Sequence, residues 1–251
     1  AGPAEAGAPA PAAAPAATAP APAPAPAAGD RQASLRRAIG ALMARSKREI
    51  PHFYLATTID LGAVSSWLER TNAERPVPRR LVASALLLAA AARAVARAPE
   101  LNGFFVDGGF RPGSGVHLGV AVSLRSGGVV APAIHDADRL DPDQMMAALH
   151  DLVGRARAGT LRSSEMSDPT VTVTNLGDLG VDSVFGVIYP PQAALIGFGR
   201  VAERAVVRAG EVVAAPCVTA SLAADHRVSD GHRAGRLLAD IDRFLQRPED
   251  L

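Results

Sequence analysis

Residues 224–231, with the sequence ADHRVSDG, hold the side chains best suited to chemistry in this 251-residue chain. They follow an apolar strand predicted at residues 215–223 and precede a helix predicted from about residue 231 to residue 246. His226 therefore stands at a strand end, a common place for a catalytic group. Asp230 stands where a helix N-cap is expected. Spacing alone leaves open an ordinary strand-to-helix turn, in which Asp230 caps the helix and His226 is a satisfied polar residue.

Sequence motifs of several other reaction classes are absent. The six histidines form neither HxxxH nor HExxH, so no metal site is expected. No GxGxxG, GxxxxGK[ST] or GxSxG motif marks a nucleotide site or a hydrolase elbow. The single cysteine, Cys217, excludes an internal disulfide framework, and its apolar strand favours core packing over an acyl-cysteine role. Because Lys47 is the only lysine, Schiff-base chemistry and a carrier attachment site are not expected either.

The charge balance disfavours two classes of partner. The 26 basic and 25 acidic residues nearly cancel, and aromatic content is 4%, so no strong hold on nucleic acid or on an anionic membrane is expected. The most apolar stretch, residues 81–98, carries Arg93 and Arg97 and is predicted to be a buried helix, not a membrane span. With one cysteine and no secretory signal pattern, the sequence predicts a cytoplasmic protein.

The chain divides into a linker at residues 1–33 and a core at residues 34–251. The first 30 residues contain 16 alanines and 8 prolines, a composition that offers no patterned apolar face. Such an Ala-Pro repeat is typical of an extended, flexible spacer, and we expect it to connect the core to something upstream. A tail without a partner is the alternative.

Periodicity in the core predicts a mixture of helices and strands. Helices are predicted at residues 33–47, 60–72, 81–98, 141–158 and 231–246. Strands are predicted at residues 52–59, 118–124, 129–134, 170–174, 193–199, 204–208 and 215–223, with a turn at residues 175–177. Because strict βαβ alternation is absent, the fold class is α/β in the broad sense, an α+β two-layer sandwich. It has a mixed β-sheet with helices mainly on one face.

Five segments in order resemble the acyltransferase core of the dihydrolipoyl acyltransferases of 2-oxo acid dehydrogenase complexes. DHRVSDG is similar to the family's His-x-x-x-Asp-Gly motif, which that family shares with chloramphenicol acetyltransferases, together with the fold. The resemblance extends from about Leu35 to Leu251. The other four segments are SKREIPHFYLATTID, LNGFFVDG, GVHLGVAVSLRSGGVVAPAIHDAD and TVTVTNLGDLGVDSVFGVIYPPQAALIGFG.

The resemblance implies roles for five residues. His226 would be the general base that takes the proton from an attacking thiol, and Thr174 would donate its hydroxyl to the oxyanion of a tetrahedral intermediate. Asp230 would pair with an arginine and hold the histidine loop. Asn175 and Gly177 would line a channel for coenzyme A and the lipoyl arm. The implied reaction moves an acyl group, with acetyl expected, from S-acyl-dihydrolipoyl to coenzyme A as substrate.

The resemblance also implies an assembly. Members of the family form homotrimers, and some form larger cores, with His226 and Thr174 coming from different chains, so a monomer would be inactive. The lipoyl group would be carried on a lipoyl domain outside this chain. Other partners would be the 2-oxo acid decarboxylase and dihydrolipoamide dehydrogenase components. A non-catalytic structural core and a small-molecule O-acetyltransferase of the same fold are the alternatives.

Overall fold

A computed structural model describes Gly2 and residues 28–251 of the chain apart from residue 126. Most of the predicted linker, residues 1–33, therefore lies outside the described residues. The first helix begins at Ala28, five residues before the predicted start at Ala33, and ends just before Pro51. The helices are α1 Ala28–Glu49, α2 Gly62–Ala73, α3 Ala83–Ala96, α4 Pro142–Ala158, α5 Ser163–Ser167 and α6 Gly231–Leu245.

The strands form one large mixed sheet and two small hairpins. The large sheet has the order β1-β11-β9-β8-β4-β7, with β10 also paired to β11. Strands β8, β9 and β4 run parallel to one another, and the remaining pairs are antiparallel. The strands are β1 His52–Asp60, β2 Gly103–Val106, β3 Gly109–Pro112, β4 Leu118–Val120, β5 Val122–Ser123, β6 Val129–Val130, β7 Ala133–Ile134, β8 Val171–Asn175, β9 Ala194–Phe198, β10 Ala202–Arg208 and β11 Glu211–Asp225.

Helices cover one face of the sheet, which confirms the predicted layer arrangement. Helix α3 is buried along almost its whole length and packs between α6, α4 and α2. Arg93 and Arg97 fall in its last turn and at its C-cap. Within the described part of the chain, no helix is long and apolar enough to cross a membrane. Sheet residues that face this helical core are Ile59, Val171, Val173, Ile196, Phe198, Val218, Ala220 and Leu222.

The opposite face of the sheet is covered by the end of α1 and by the segment before β9. Ser46 Oγ donates to the carbonyl of Ile188 at 2.6 Å, and both residues are buried. Ile188 belongs to a second apolar cluster with Ile50, Leu195 and Ala223. Strand side chains alternate between the two faces of a sheet. The polar side chains of β8 and β11 that point away from the helices therefore face this second layer.

Two features of the sheet differ from the sequence prediction. The strands predicted at residues 118–124 and 129–134 are each split in two, and β5 and β6 form a separate hairpin. Pro132 has no amide hydrogen, and the Ala121 amide donates at 2.9 Å to the carbonyl of Val173 on β8 and not across the hairpin. The sequence also predicts no strands at the β2–β3 hairpin. Each of its two strands has only four residues, between Gly103 and Pro112, which is too short for a clear alternating pattern.

Candidate active site

The loop after β11 is held by its own backbone. The carbonyl of Asp225 accepts hydrogen bonds from the amides of Val228 (3.0 Å) and Ser229 (3.1 Å), which turns the chain toward α6. Asp230 then caps α6, since its Oδ1 accepts from the amides of His232 at 2.9 Å and Arg233 at 3.0 Å. The predicted N-cap is confirmed. These hydrogen bonds, that from Arg233 first, lower the pKa of Asp230 below its ordinary value.

His226 presents its imidazole to solvent on this loop. Its backbone amide donates to the carbonyl of Pro51 at 3.0 Å, and its ring lies against Phe53 with centroids 4.7 Å apart. The residue is exposed, and no hydrogen bond to its ring occurs within the described part of the chain. An imidazole that is fixed through its backbone and one ring face, but open at its nitrogens, can take a proton from a bound thiol.

Asp225, not Asp230, makes the arginine pair of this loop. The side chain of Asp225 is fully buried and binds Arg227 through Nε at 3.0 Å and Nη2 at 2.6 Å. Asp230 forms no ion pair among the described residues because its carboxylate is turned to the first amides of α6. Within one chain, the arginine pairing that the resemblance implied for Asp230 is not seen among the described residues and stays a prediction, whereas the Asp225–Arg227 pair was not predicted from the sequence.

Thr174 lies on β8, on the sheet face opposite the helices. Val171 and Val173 point into the helical core, so Thr172 and Thr174 point the other way. Thr172 is fully buried and donates to Oε1 of Gln192 at 2.7 Å, whereas Thr174 is half-buried. The hydroxyl of Thr174 is therefore on a partly open surface near the end of its strand.

Asn175 and Gly177 form the turn that ends β8. Oδ1 of Asn175 accepts the amide hydrogen of Gly177 at 2.9 Å, which is an Asx turn, and the predicted turn is confirmed. A Cβ on Gly177 would lie 3.0 Å from that oxygen and 3.2 Å from the carbonyl oxygen of Gly199. The turn accounts for both residues structurally, and their predicted role in a substrate channel stays a prediction.

One chain does not bring His226 and Thr174 together. Thr174 pairs with Gly197, and Gly197 pairs with Ser221, so the hydroxyl is level with a position five residues before His226 on β11. At strand spacings this is about 17 Å along β11 and about 9 Å across two strands, or about 19 Å in all. Proton transfer and oxyanion binding at one reacting carbon need contacts of about 3 Å.

A pocket of about 450 Å³ opens beside the histidine loop. Its walls come from the end of α1, the β2–β3 turn, the segment before β9 and the loop itself, so four separate parts of the sequence contribute. No local pattern could have predicted it. Its lining residues are Arg45, Glu49, Ile50, Phe105, Val106, Asp107, Gly108, Pro190, Pro191 and Arg227.

Cys217 and His52 are two further side chains that could do chemistry, and both have structural roles. Burial raises the pKa of the Cys217 thiol, which is fully buried and keeps its proton, in agreement with the predicted core position. His52 donates from Nδ1 to the carbonyl of Ile50 at 2.9 Å and accepts at Nε2 from the amide of Ile188 at 3.1 Å. Among the described residues, no group of three or more His, Cys, Asp and Glu side chains could hold a metal ion.

Comparison with known proteins gives consistent matches. The family of 2-oxoacid dehydrogenases acyltransferase (catalytic domain) matches residues 30–251. The dihydrolipoyllysine-residue acetyltransferase component of the pyruvate dehydrogenase complex from Rhizobium meliloti (strain 1021) is 31% identical over 219 residues, which cover 85% of this chain and 49% of that protein. The chain thus spans about half the length of the curated relatives it matches.

Solved structures agree with this match. That of a probable dihydrolipoamide acetyltransferase from Listeria monocytogenes 4b F2365 is similar with a TM-score of 0.79 and 26% identity, over 85% of this chain and 92% of that one. A chloramphenicol acetyltransferase, at 14% identity and a TM-score of 0.55, shares the fold over 82% of this chain and 94% of its own. The predicted chloramphenicol-acetyltransferase-like fold is confirmed.

Proposed function

Because the chain belongs to the family of 2-oxoacid dehydrogenase acyltransferase catalytic domains, we propose that it moves an acetyl group from S-acetyl-dihydrolipoyl to coenzyme A. The observation that carries the proposal is the exposed imidazole of His226, held by its backbone at the end of the longest strand. A thiol with a pKa of about 8.5 is mostly protonated at neutral pH, so its attack benefits from a positioned base.

The proposed reaction exchanges one thioester for another. His226 takes the proton from the thiol of coenzyme A while the sulfur attacks the acetyl carbonyl of the lipoyl thioester. The tetrahedral intermediate carries a negative oxygen, and the hydroxyl of Thr174 donates a hydrogen bond to it. When the intermediate collapses, the C–S bond to dihydrolipoyl breaks, and the leaving sulfur takes the proton back from His226. The products are acetyl-coenzyme A and the dihydrolipoyl dithiol.

The proposed site is shared between two copies of the chain in a homotrimer. About 19 Å separates His226 from Thr174 within one chain, so a single chain cannot apply both groups to one carbonyl. A neighbouring copy that presents its own Thr174 to this His226 would complete the site. Such trimers would form a larger core only through further contacts between trimers, on surfaces outside this site.

We also propose the partners that this reaction requires. A lipoyl domain, which residues 1–251 do not supply because Lys47 is their only lysine, would carry the acyl group to His226. A 2-oxo acid decarboxylase component would load that lipoyl group, and a dihydrolipoamide dehydrogenase component would reoxidise it. We also propose a cytoplasmic location, in which the single buried cysteine would stay reduced.

The test is acetyl transfer between acetyl-coenzyme A and dihydrolipoamide, with molar mass measured on the same samples. We expect activity from the wild-type chain and a loss of at least about a hundredfold in His226→Ala at unchanged mass. His232→Ala, another exposed histidine close by on α6, is the matched control and should keep its activity.

Two outcomes would contradict the proposal. Full activity in His226→Ala would remove the base from the mechanism. Acetylation of chloramphenicol by a wild-type chain that leaves dihydrolipoamide untouched would assign the fold to a small-molecule O-acetyltransferase instead.

A further inference from the structure

Among the described residues, the buried carboxylate of Asp225 forms an ion pair with one side chain, and that side chain is two residues away. Arg227 binds it through its side chain, at 3.0 Å from Nε and 2.6 Å from Nη2, and also through its backbone amide at 2.9 Å. The side chain of Asp225 is 0% exposed, whereas that of Arg227 is 34% exposed. A buried carboxylate without its partner is strongly unfavourable, so this pair constrains the backbone between the two residues. His226 is the residue between them.

The guanidinium of Arg227 is itself held by a second element. Its carbon lies 3.9 Å from the centre of the Phe105 ring, which is a cation–π contact. Phe105 belongs to β2, and its amide donates to the carbonyl of Pro191 at 2.8 Å. The β2–β3 hairpin therefore reaches the histidine loop through one aromatic ring.

We propose that Arg227 and Phe105 are positioning residues that hold the His226 loop in its reactive geometry. The inference rests on the proposed role of His226 as the base. Arg227 neutralises the buried carboxylate at the loop's first residue, and Phe105 prevents the guanidinium from swinging into the adjoining pocket. With both contacts in place, the amide of His226 stays on the carbonyl of Pro51, and the imidazole keeps one direction.

The first arm of the test compares Arg227→Ala with Arg111→Ala. Arg111, on β3, is the matched control because it is another arginine that pairs with a carboxylate, that of Asp107, but on the exposed surface. For Arg227→Ala we expect kcat to fall at least about tenfold while KM changes by less than about twofold, because a displaced base slows chemistry more than binding. Added guanidinium ion should restore part of the lost kcat, and Arg111→Ala should behave as wild type.

The second arm measures coupling between the two positioning residues. Phe105→Leu keeps the ion pair and removes only the ring, so we expect a smaller fall in kcat. In the Arg227→Ala background the same change should have little further effect, since both act through one contact. If Arg227→Ala fails to fold, Phe105→Leu alone tests the inference, and an unchanged kcat in that folded variant would overturn it.

The third arm does not depend on the proposed reaction. The ring protons of His226, assigned through His226→Ala in a chain with labelled histidine, should shift or broaden in Arg227→Ala and in Phe105→Leu, but not in Arg111→Ala. An inactive wild type with these shifts would reject the proposed function and keep the positioning role. Unchanged histidine signals together with unchanged kcat in folded variants would overturn the inference, as would a rise in KM alone.

Discussion

Consecutive residues of the histidine loop have opposite surroundings. Asp225 is fully buried at the end of β11, while His226 is exposed one residue later. The contrast follows from the strand, which turns alternate side chains to opposite faces until the turn begins. A buried charge gives the loop a fixed geometry, and an exposed base next to it can reach a substrate. The proposed chemistry needs both the buried Asp225, which fixes the loop, and the exposed His226, which can reach the substrate.

His52 is a second histidine near this loop, and its role is structural. It pairs with Asp225 across β1 and β11, and its ring bridges Ile50 and Ile188. Burial, with a smaller effect of Lys47, lowers the pKa of His52. The ring is therefore neutral at pH 7, as its acceptor role at Nε2 requires.

This lowered pKa predicts a pH dependence of stability. Below about pH 6.5 an unfolded chain binds a proton at His52 that the folded chain does not, so the free energy of unfolding should fall as pH drops from about 6.5 toward the lower folded pKa. Urea unfolding of wild type and His52→Asn at several pH values measures this. The variant should be less stable at pH 7 but should lose less on acidification, while His150→Asn should follow wild type. Parallel curves for wild type and His52→Asn would contradict the assignment.

The sequence predicts roles for His226, Thr174 and Asp230, but it does not predict the contacts of Asp225, Arg227 and Phe105 next to the histidine. The first three lie in local motifs, so their types and spacing are visible in the sequence. Asp225 and Arg227 are in the same motif, yet their pairing depends on Asp225 being buried by other strands. Phe105 could not be found, because its contact with Arg227 exists only once the β2–β3 hairpin is in place.

At the scale of elements, β11 organises the site. Its 15 residues pair with β1 and β10, and with β9, so its last residue is fixed from both sides. Helix α6 begins directly after the loop and packs its apolar face on α3 and the sheet. The loop is therefore anchored at both ends, by β11 before it and by α6 after it.

The cap of α6 gives a prediction at this scale. Asp230→Asn keeps an oxygen that can accept from the amides of His232 and Arg233, so its kcat should stay within about twofold of wild type. Asp230→Ala removes the acceptor and should unfold at a lower denaturant concentration than Asp230→Asn. Because the pKa of Asp230 is lowered, the extra stability of wild type over Asp230→Asn should be present at neutral pH and should disappear as pH falls below the ordinary value of aspartate. Equal unfolding midpoints for Ala and Asn would show that the cap does not hold the loop.

Element types followed from periodicity, whereas pairing did not. Long helices such as α4, with its Asp141 cap and Gly159 at the end, carry their own boundary signals. The broken strands at residues 118–134 carry no such signals. Their break depends on the amide of Ala121, which donates to the carbonyl of Val173 on β8. A local pattern cannot report which of two strands receives a hydrogen bond.

At the scale of the whole molecule, the proposed site is incomplete in one chain. His226 lies at the end of β11 and Thr174 near the end of β8, at different levels of the same rigid sheet. Small motions cannot close a gap of about 19 Å between two groups held by one hydrogen-bonded sheet. The sequence alone could not predict this distance, because it depends on the register of three strands. The shared site was implied only by the resemblance to the family.

The most direct test of the shared site mixes two inactive chains. His226→Ala and Thr174→Ala, with different tags, would be co-expressed, and assemblies that contain both would be purified through both tags. Each variant alone should lose at least about a hundredfold in activity. In a trimer that contains both variants, one of the three interfaces joins an intact His226 to an intact Thr174, so about a third of wild-type activity should return. Mixed assemblies of the same mass that are no more active than either variant alone would contradict a site built from two copies.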